Sequence, residues 1–169
     1  MARIIVAPAV SAVSTQEVSL FLAGGITAWE DWQHDICGQL RDIAGLVVFN
    51  PRREDYAGNV AGQILWEWQH LRDAHAISFW FAAETVQPIT LFELGRWTAE
   101  ALPSGARATE NADDRQRCRK RVFVGVHEEY SRKLDIEIQL RYQCPDLEIV
   151  HSIPALVEQI RNWAVDCRK

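Results

Sequence analysis

Five apolar, β-rich runs punctuate the chain: VSLFLA at 18–23, GLVVFN at 45–50, AISFWF at 76–81, RVFVGV at 121–126 and LEIVHS at 147–152. They read as apolar runs rather than as strict alternations, the mark of strands covered on both faces, and the segments between them carry a helical period. The pattern predicts an α/β fold with a doubly wound, five-stranded parallel sheet, a flavodoxin-like or Rossmann-like three-layer sandwich.

Helix-forming stripes fill the gaps. The first carries Trp29, Trp32, Ile36, Leu40 and Ile43 on one side, after a capping box Thr27-x-x-Glu30. The second, about 59–74, has Ile64, Trp68 and Leu71 as its inward stripe and leaves Trp66 outward. A third starts near Pro88 to Thr90, a fourth follows Ser131, and the last follows Ser152-Ile-Pro154 with Leu156, Ile160 and Trp163 facing in. The polar, Gly- and Pro-punctuated stretch 102–120 reads as an exposed loop. Residues 1–17 read as an N-terminal arm and 18–169 as one α/β domain, with no internal repeat.

Composition narrows the function classes. No run nears the roughly 18 apolar residues of a membrane span, and the apolar start broken by Pro8 falls short of a signal peptide. Four scattered cysteines form no disulfide framework or metal site, which points to a cytoplasmic protein without a metal. With a formal net charge of -5 and one basic run beside an acidic one, the chain has no sustained cationic face for a nucleic-acid polymer. A small molecule remains as substrate, and seven tryptophans offer walls for a flat heterocycle.

In such a sheet ligands bind outside the carboxyl ends of the strands, so the residues just after each strand are the candidates. Ala23-Gly24-Gly25 permits close backbone approach, but forms neither a dinucleotide fingerprint nor a P-loop. After the second strand, Asn50 and Pro51 set a turn from which Arg52 and Arg53 can clamp an anion. Glu67 lies beside an apolar helical stripe, where a carboxylate needs a partner or a pocket. Glu93 reads two ways: as the glutamate of a Thr90-x-x-Glu93 capping box, or as an ionised nucleophile held at a helix N-terminus. His127 follows the fourth strand with no partner that fixes it as a base.

Taken together, SLFLAGGI, VFNPRR, QILWEWQHLRDAHAISFW, PITLFELGR and VFVGVHEEYSRKLDI resemble the nucleoside 2-deoxyribosyltransferase-like family over roughly residues 18–136. The resemblance implies cleavage of a nucleoside's N-glycosidic bond without a cofactor. Glu93 in Phe92-Glu93-Leu94-Gly95 attacks C1′, and a second base or water completes turnover. It implies Glu67 as positioner or proton donor, Phe21 and the Ala23-Gly24-Gly25 backbone as ligand contacts, and a homo-oligomer. Trp32 is expected to stack on the base, and Arg52 to favour a phosphorylated substrate. One departure stands out: where transferases of the family have an aspartate six residues before the nucleophile, this chain has Gln87, expected to contact the base. A glutamine pairs with a base edge but cannot protonate it. The alternative is a non-catalytic nucleotide-binding or sensing domain of the same fold.

Overall fold

The computed structural model describes residues 1–26, 30–53, 58–101 and 120–167. Among them, six parallel strands form one sheet: β1 (Arg3–Val6), β2 (Val18–Gly24), β3 (Leu46–Asn50), β4 (Ala76–Phe81), β5 (Arg121–Val126) and β6 (Ile149–Val150), in the order β1-β3-β2-β4-β5-β6. Five helices cover it: α1 (Trp32–Gln39), α2 (Val60–Asp73), α3 (Pro88–Ala101), α4 (Lys133–Gln143) and α5 (Ile153–Asp166). The α/β architecture read from the apolar runs holds.

The sixth strand lies in the segment read as an arm. The short β-branched run Arg3-Ile4-Ile5-Val6 pairs in parallel with Val47 to Asn50 and so caps one edge of the sheet. Arg3 then ties that edge to the approach to β2: its guanidinium donates to both oxygens of Glu17, at 2.7 and 2.9 Å. That pair holds the Glu17 carboxyl down at about 2.

Alternate positions along each strand feed two cores. Phe21, Phe49, Phe79 and Val124 face α2, α3 and α4, whereas Leu20, Leu22, Val48 and Phe123 face α1 and α5. The helix starts follow local chemistry. Asp31 caps α1 by accepting from the His34 amide, Asn59 caps α2 through the Gly62 amide, and Ser152 caps α5 through that of Ala155. The expected Thr27 cap, Trp29 and residues 102–119 of the expected loop lie outside the described residues, whereas Trp32, Ile36, Leu40 and Ile43 are buried as expected.

The inward face of α2 differs from the expected one. Trp66 is 4% exposed, while Ile64 is 59% and Trp68 44% exposed. Trp66 packs against Phe21 and Phe49, stacks on His70 at 4.0 Å, and donates its indole N–H to the Ala9 carbonyl at 2.8 Å. The N-terminal arm supplies that acceptor, so a helical period alone misassigns the face.

Chain order sets where a ligand fits. From β2 the chain passes to β3 on one side and then crosses to β4 on the other, so the connections after β2 and β4 diverge and leave a crevice at their carboxyl ends. No helix among the described residues is long and apolar enough to cross a membrane.

Candidate functional site

A cavity of about 520 Å³ opens at that crevice, within the range of small-molecule sites. The sheet contributes Phe21, Ala23 and Gly24, the loop after β2 contributes Gly25, and the loop after β4 contributes Thr85 and Gln87. Two helices form the walls with matching stripes at i, i+3, i+4 and i+7. On α2 these are Ile64, Glu67, Trp68 and Leu71; on α3 they are Ile89, Phe92, Glu93 and Arg96. Each stripe sets one carboxyl among apolar neighbours.

That setting changes both acids. Burial, and then the charge of Glu67, push the Glu93 carboxyl up to about 8. Burial also raises Glu67, against a hydrogen bond from Gln63 and the charge of Arg53, which both act downward. The expectation that a helix start keeps Glu93 ionised is thereby corrected. Helix α3 begins at Pro88, the Leu91 amide donates to the Gln87 carbonyl, and Thr90 is already a buried helical residue. Glu93 therefore sits in the second turn, beyond capping reach and past the strongest part of the helix dipole. Desolvation and a neighbouring carboxylate decide its charge instead.

Gln87 is bound into the frame. It holds a positive φ of 51°, and its carboxamide accepts from the Gly25 amide at 2.8 Å while donating to the Ala82 carbonyl at 3.3 Å. It thus staples the loop after β2 to the end of β4. The Tyr130 hydroxyl donates to the adjacent Val86 carbonyl at 2.5 Å, and Trp32 Nε1 and Gln33 Nε2 both donate to the Gly25 carbonyl, at 3.0 and 3.1 Å. An aspartate at 87 can accept from Gly25 but cannot donate to Ala82, so the glutamine is matched to both backbone partners.

The remaining sequence candidates divide. Glu67, Glu93, Phe21, Ala23, Gly24, Gly25 and Gln87 line one cavity. Trp32, Asn50 and Arg52 do not line it. Trp32 is a fully buried core residue whose indole N–H is taken by Gly25, which leaves no face for stacking on a base. Asn50 Oδ1 accepts from the Arg52 amide at 2.9 Å, and the Arg52 guanidinium turns to the Glu30 carbonyl and to Asp31. Gly24 serves packing as well as access: a Cβ there would come within 2.5 Å of the Trp32 ring and 2.6 Å of the Trp80 carbonyl oxygen.

Sequence reasoning missed Ile89, Phe92 and Arg96, and misplaced Ile64 and Trp68. The signal was present, because both stripes have core-like spacing, but spacing does not tell a cleft wall from a sheet-facing stripe. Trp97 was also missed. It lines the cavity under the Arg96 guanidinium and the Lys120 ammonium, each 4.6 Å from its ring. Lys120 is itself fixed by the Arg72 and Ala74 carbonyls at the end of α2. No grouping of residues able to hold a metal ion occurs among the described residues.

Comparison with known proteins bears on this same region. No curated protein matches the chain. A family model described as nucleoside 2-deoxyribosyltransferase like matches residues 17–103, the stretch that runs from β2 through α3 and holds every residue lining the cavity. The chain belongs to the nucleoside 2-deoxyribosyltransferase-like family.

Proposed function

We propose that the protein cleaves or transfers at the N-glycosidic bond of a (deoxy)nucleoside or nucleotide through a covalent glycosyl-Glu93 intermediate. The observation that carries this reading is the pairing of Glu93 with Glu67 in one cavity, with Glu93 held up to about 8 by burial and by Glu67's charge. Such a pair keeps one proton between its members at neutral pH. At rest that proton is on Glu93, facing a charged Glu67, and reaction starts once it has passed to Glu67 and left the charge on Glu93. A Glu93 oxygen bonds to C1′, the C1′–N bond breaks with its electron pair passing to the base nitrogen, and the Glu67 proton neutralises that nitrogen. Water or a second base then bonds to C1′ as the C1′–O bond returns its electron pair to Glu93, and gives up its proton to the Glu67 carboxylate; the apolar side chains of Trp68 and Phe92 suit a flat base.

The working form in this reading is a homo-oligomer. Phe92 is 70% exposed, and with Ile64, Trp68 and Ile89 it puts exposed apolar surface around the cavity, which a second copy would cover. Trp66, read from sequence as outward, gives no support, being buried under the arm.

Chromatography of free base released from deoxynucleosides and deoxynucleotides tests the activity, with Glu93→Ala and Glu67→Ala alongside. Release by wild type and loss in the Glu93 variant are expected; equal release by both contradicts the nucleophile assignment. One observation favours a second reading, a nucleotide-binding domain without turnover: the Gln87 carboxamide is engaged with backbone and supplies no acid. A nucleotide that raises the melting temperature yet stays intact for hours decides for that reading.

A further inference from the structure

Gln63 is a deeply buried polar side chain beside the site, 1% exposed on the inward face of α2. It stands one helical turn before Glu67, so the two side chains meet on one face. Its amide nitrogen donates twice, to the Pro51 carbonyl and to Glu67 Oε1, each at 2.8 Å. A carboxamide nitrogen has two hydrogens, and both are used. The Pro51 carbonyl accepts only, so the amide cannot turn its oxygen that way without setting two acceptors together. The Gln63 oxygen has no partner among the described residues, a cost that the fold accepts to keep the nitrogen in place.

We propose that Gln63 is a positioning residue for the reaction put forward above: it fixes Glu67 Oε1 as an acceptor and so confines the Glu67 proton to Oε2. The inference rests on the proposed role of Glu67 as proton donor. A carboxylic acid donates from one oxygen at a time, and an acid free to rotate presents its proton to the base nitrogen only part of the time. With Oε1 held by an immobile N–H, the carboxyl plane is set by the sheet through Pro51, which itself lines the cavity. The same hydrogen bond favours the charged form of Glu67, so proton loss from this acid is eased as the base departs. The other charged groups at the site are Glu93 and Arg96 on the facing helix, which line the same cavity, and Arg53 from the loop before α2, whose charge acts downward on Glu67.

The test reads the carboxyl directly and needs no substrate, so it is separate from any failure of the enzymatic reading. In wild-type protein with labelled glutamate and glutamine, the Gln63 side-chain amide resonances are expected to follow the Glu67 carboxyl titration with the same midpoint. In Gln63→Leu, and in the more isosteric Gln63→Met, the Glu67 midpoint is expected to rise by about one pH unit, since a carboxylate loses its hydrogen bond there. Where base release is measurable, the acid limb of kcat/KM moves by the same amount. Gln63 amide resonances that ignore the Glu67 titration would overturn the proposal even if neither variant folds. So would an unchanged Glu67 midpoint in a folded variant, or a kcat/KM lowered equally at every pH.

Discussion

Glu93 on α3 and Glu67 on α2 line one cavity from two similarly spaced stripes, and the charge of Glu67 adds to burial in holding the Glu93 proton up to about pH 8. The pair behaves as a unit. Its proton inventory, more than the charge of either residue alone, decides what the cavity can do.

Stability reports this first. The folded-state value of Glu93 is raised from 4.5 to about 8, so the folded protein binds the proton more tightly than the unfolded chain between those limits. Stability linked to Glu93 is thus fully present below about pH 4.5 and is lost as pH rises through about 8. Glu93→Gln removes the titration. It is expected to gain on the order of 1–3 kcal/mol over wild type at pH 8 and little at pH 5, the figure being discounted because the carboxyl faces an open cavity. Urea melts at the two pH values measure it; an equal difference at both would contradict the assignment.

Catalysis reports it second. If one shared proton is needed, kcat/KM is bell-shaped, falling above about pH 8 when the pair loses its last proton and falling on the acid side as Glu67 and Glu93 both become protonated. A profile that rises through pH 8 to a plateau would show Glu93 acting alone.

Gln87→Asp tests the staple. The change keeps an acceptor for the Gly25 amide, removes the donor to the Ala82 carbonyl and adds a third carboxyl to the cavity wall. A loss of about 1–3 kcal/mol is expected, with the Glu93 titration moving further upward. Unchanged stability and an unchanged Glu93 midpoint would mean that the carboxamide does not hold the two loops.

The two tryptophans of α2 separate core from cleft. Trp66→Ala is expected to cost about 3–5 kcal/mol, because it empties a site packed by Phe21, Phe49 and His70. Trp68→Ala, at a 44% exposed position on the cavity wall, is expected to change stability by less than about 1 kcal/mol while weakening any ligand that occupies the cavity. Denaturant melts of both variants reverse this order only if the faces of α2 are assigned wrongly.

Much of this was legible in the chain. The interior strands β2, β3, β4 and β5 announce themselves because a strand covered on both faces has to be apolar throughout. Strand β1 does not, because four residues before a proline carry too little pattern, and its pairing depends on an edge formed 44 residues later at Val47. Glu67 stood out as a carboxylate beside an apolar stripe and Glu93 as one early in a helix after a central strand, and both helix faces proved to be cleft walls. Of the stripe read as inward on α2, Leu71 is buried, but the inward turn of Trp66 in place of Ile64 and Trp68 was not legible, since the acceptor for Trp66 is the carbonyl of Ala9, 57 positions away in sequence. Nor was the state of Glu93, because desolvation depends on what the fold places around a group. Gln87 drew notice as a missing acid, and only the paired distances to Gly25 and Ala82 show it as a brace.

The most direct measurement is mass spectrometry of the peptide containing Glu93 after rapid quenching of the protein with a deoxynucleoside or its monophosphate. A deoxypentosyl adduct on Glu93 is expected, with free base released in step with it, and neither in Glu93→Gln. Free base without an adduct at Glu93, or undiminished release by Glu93→Gln, would contradict it.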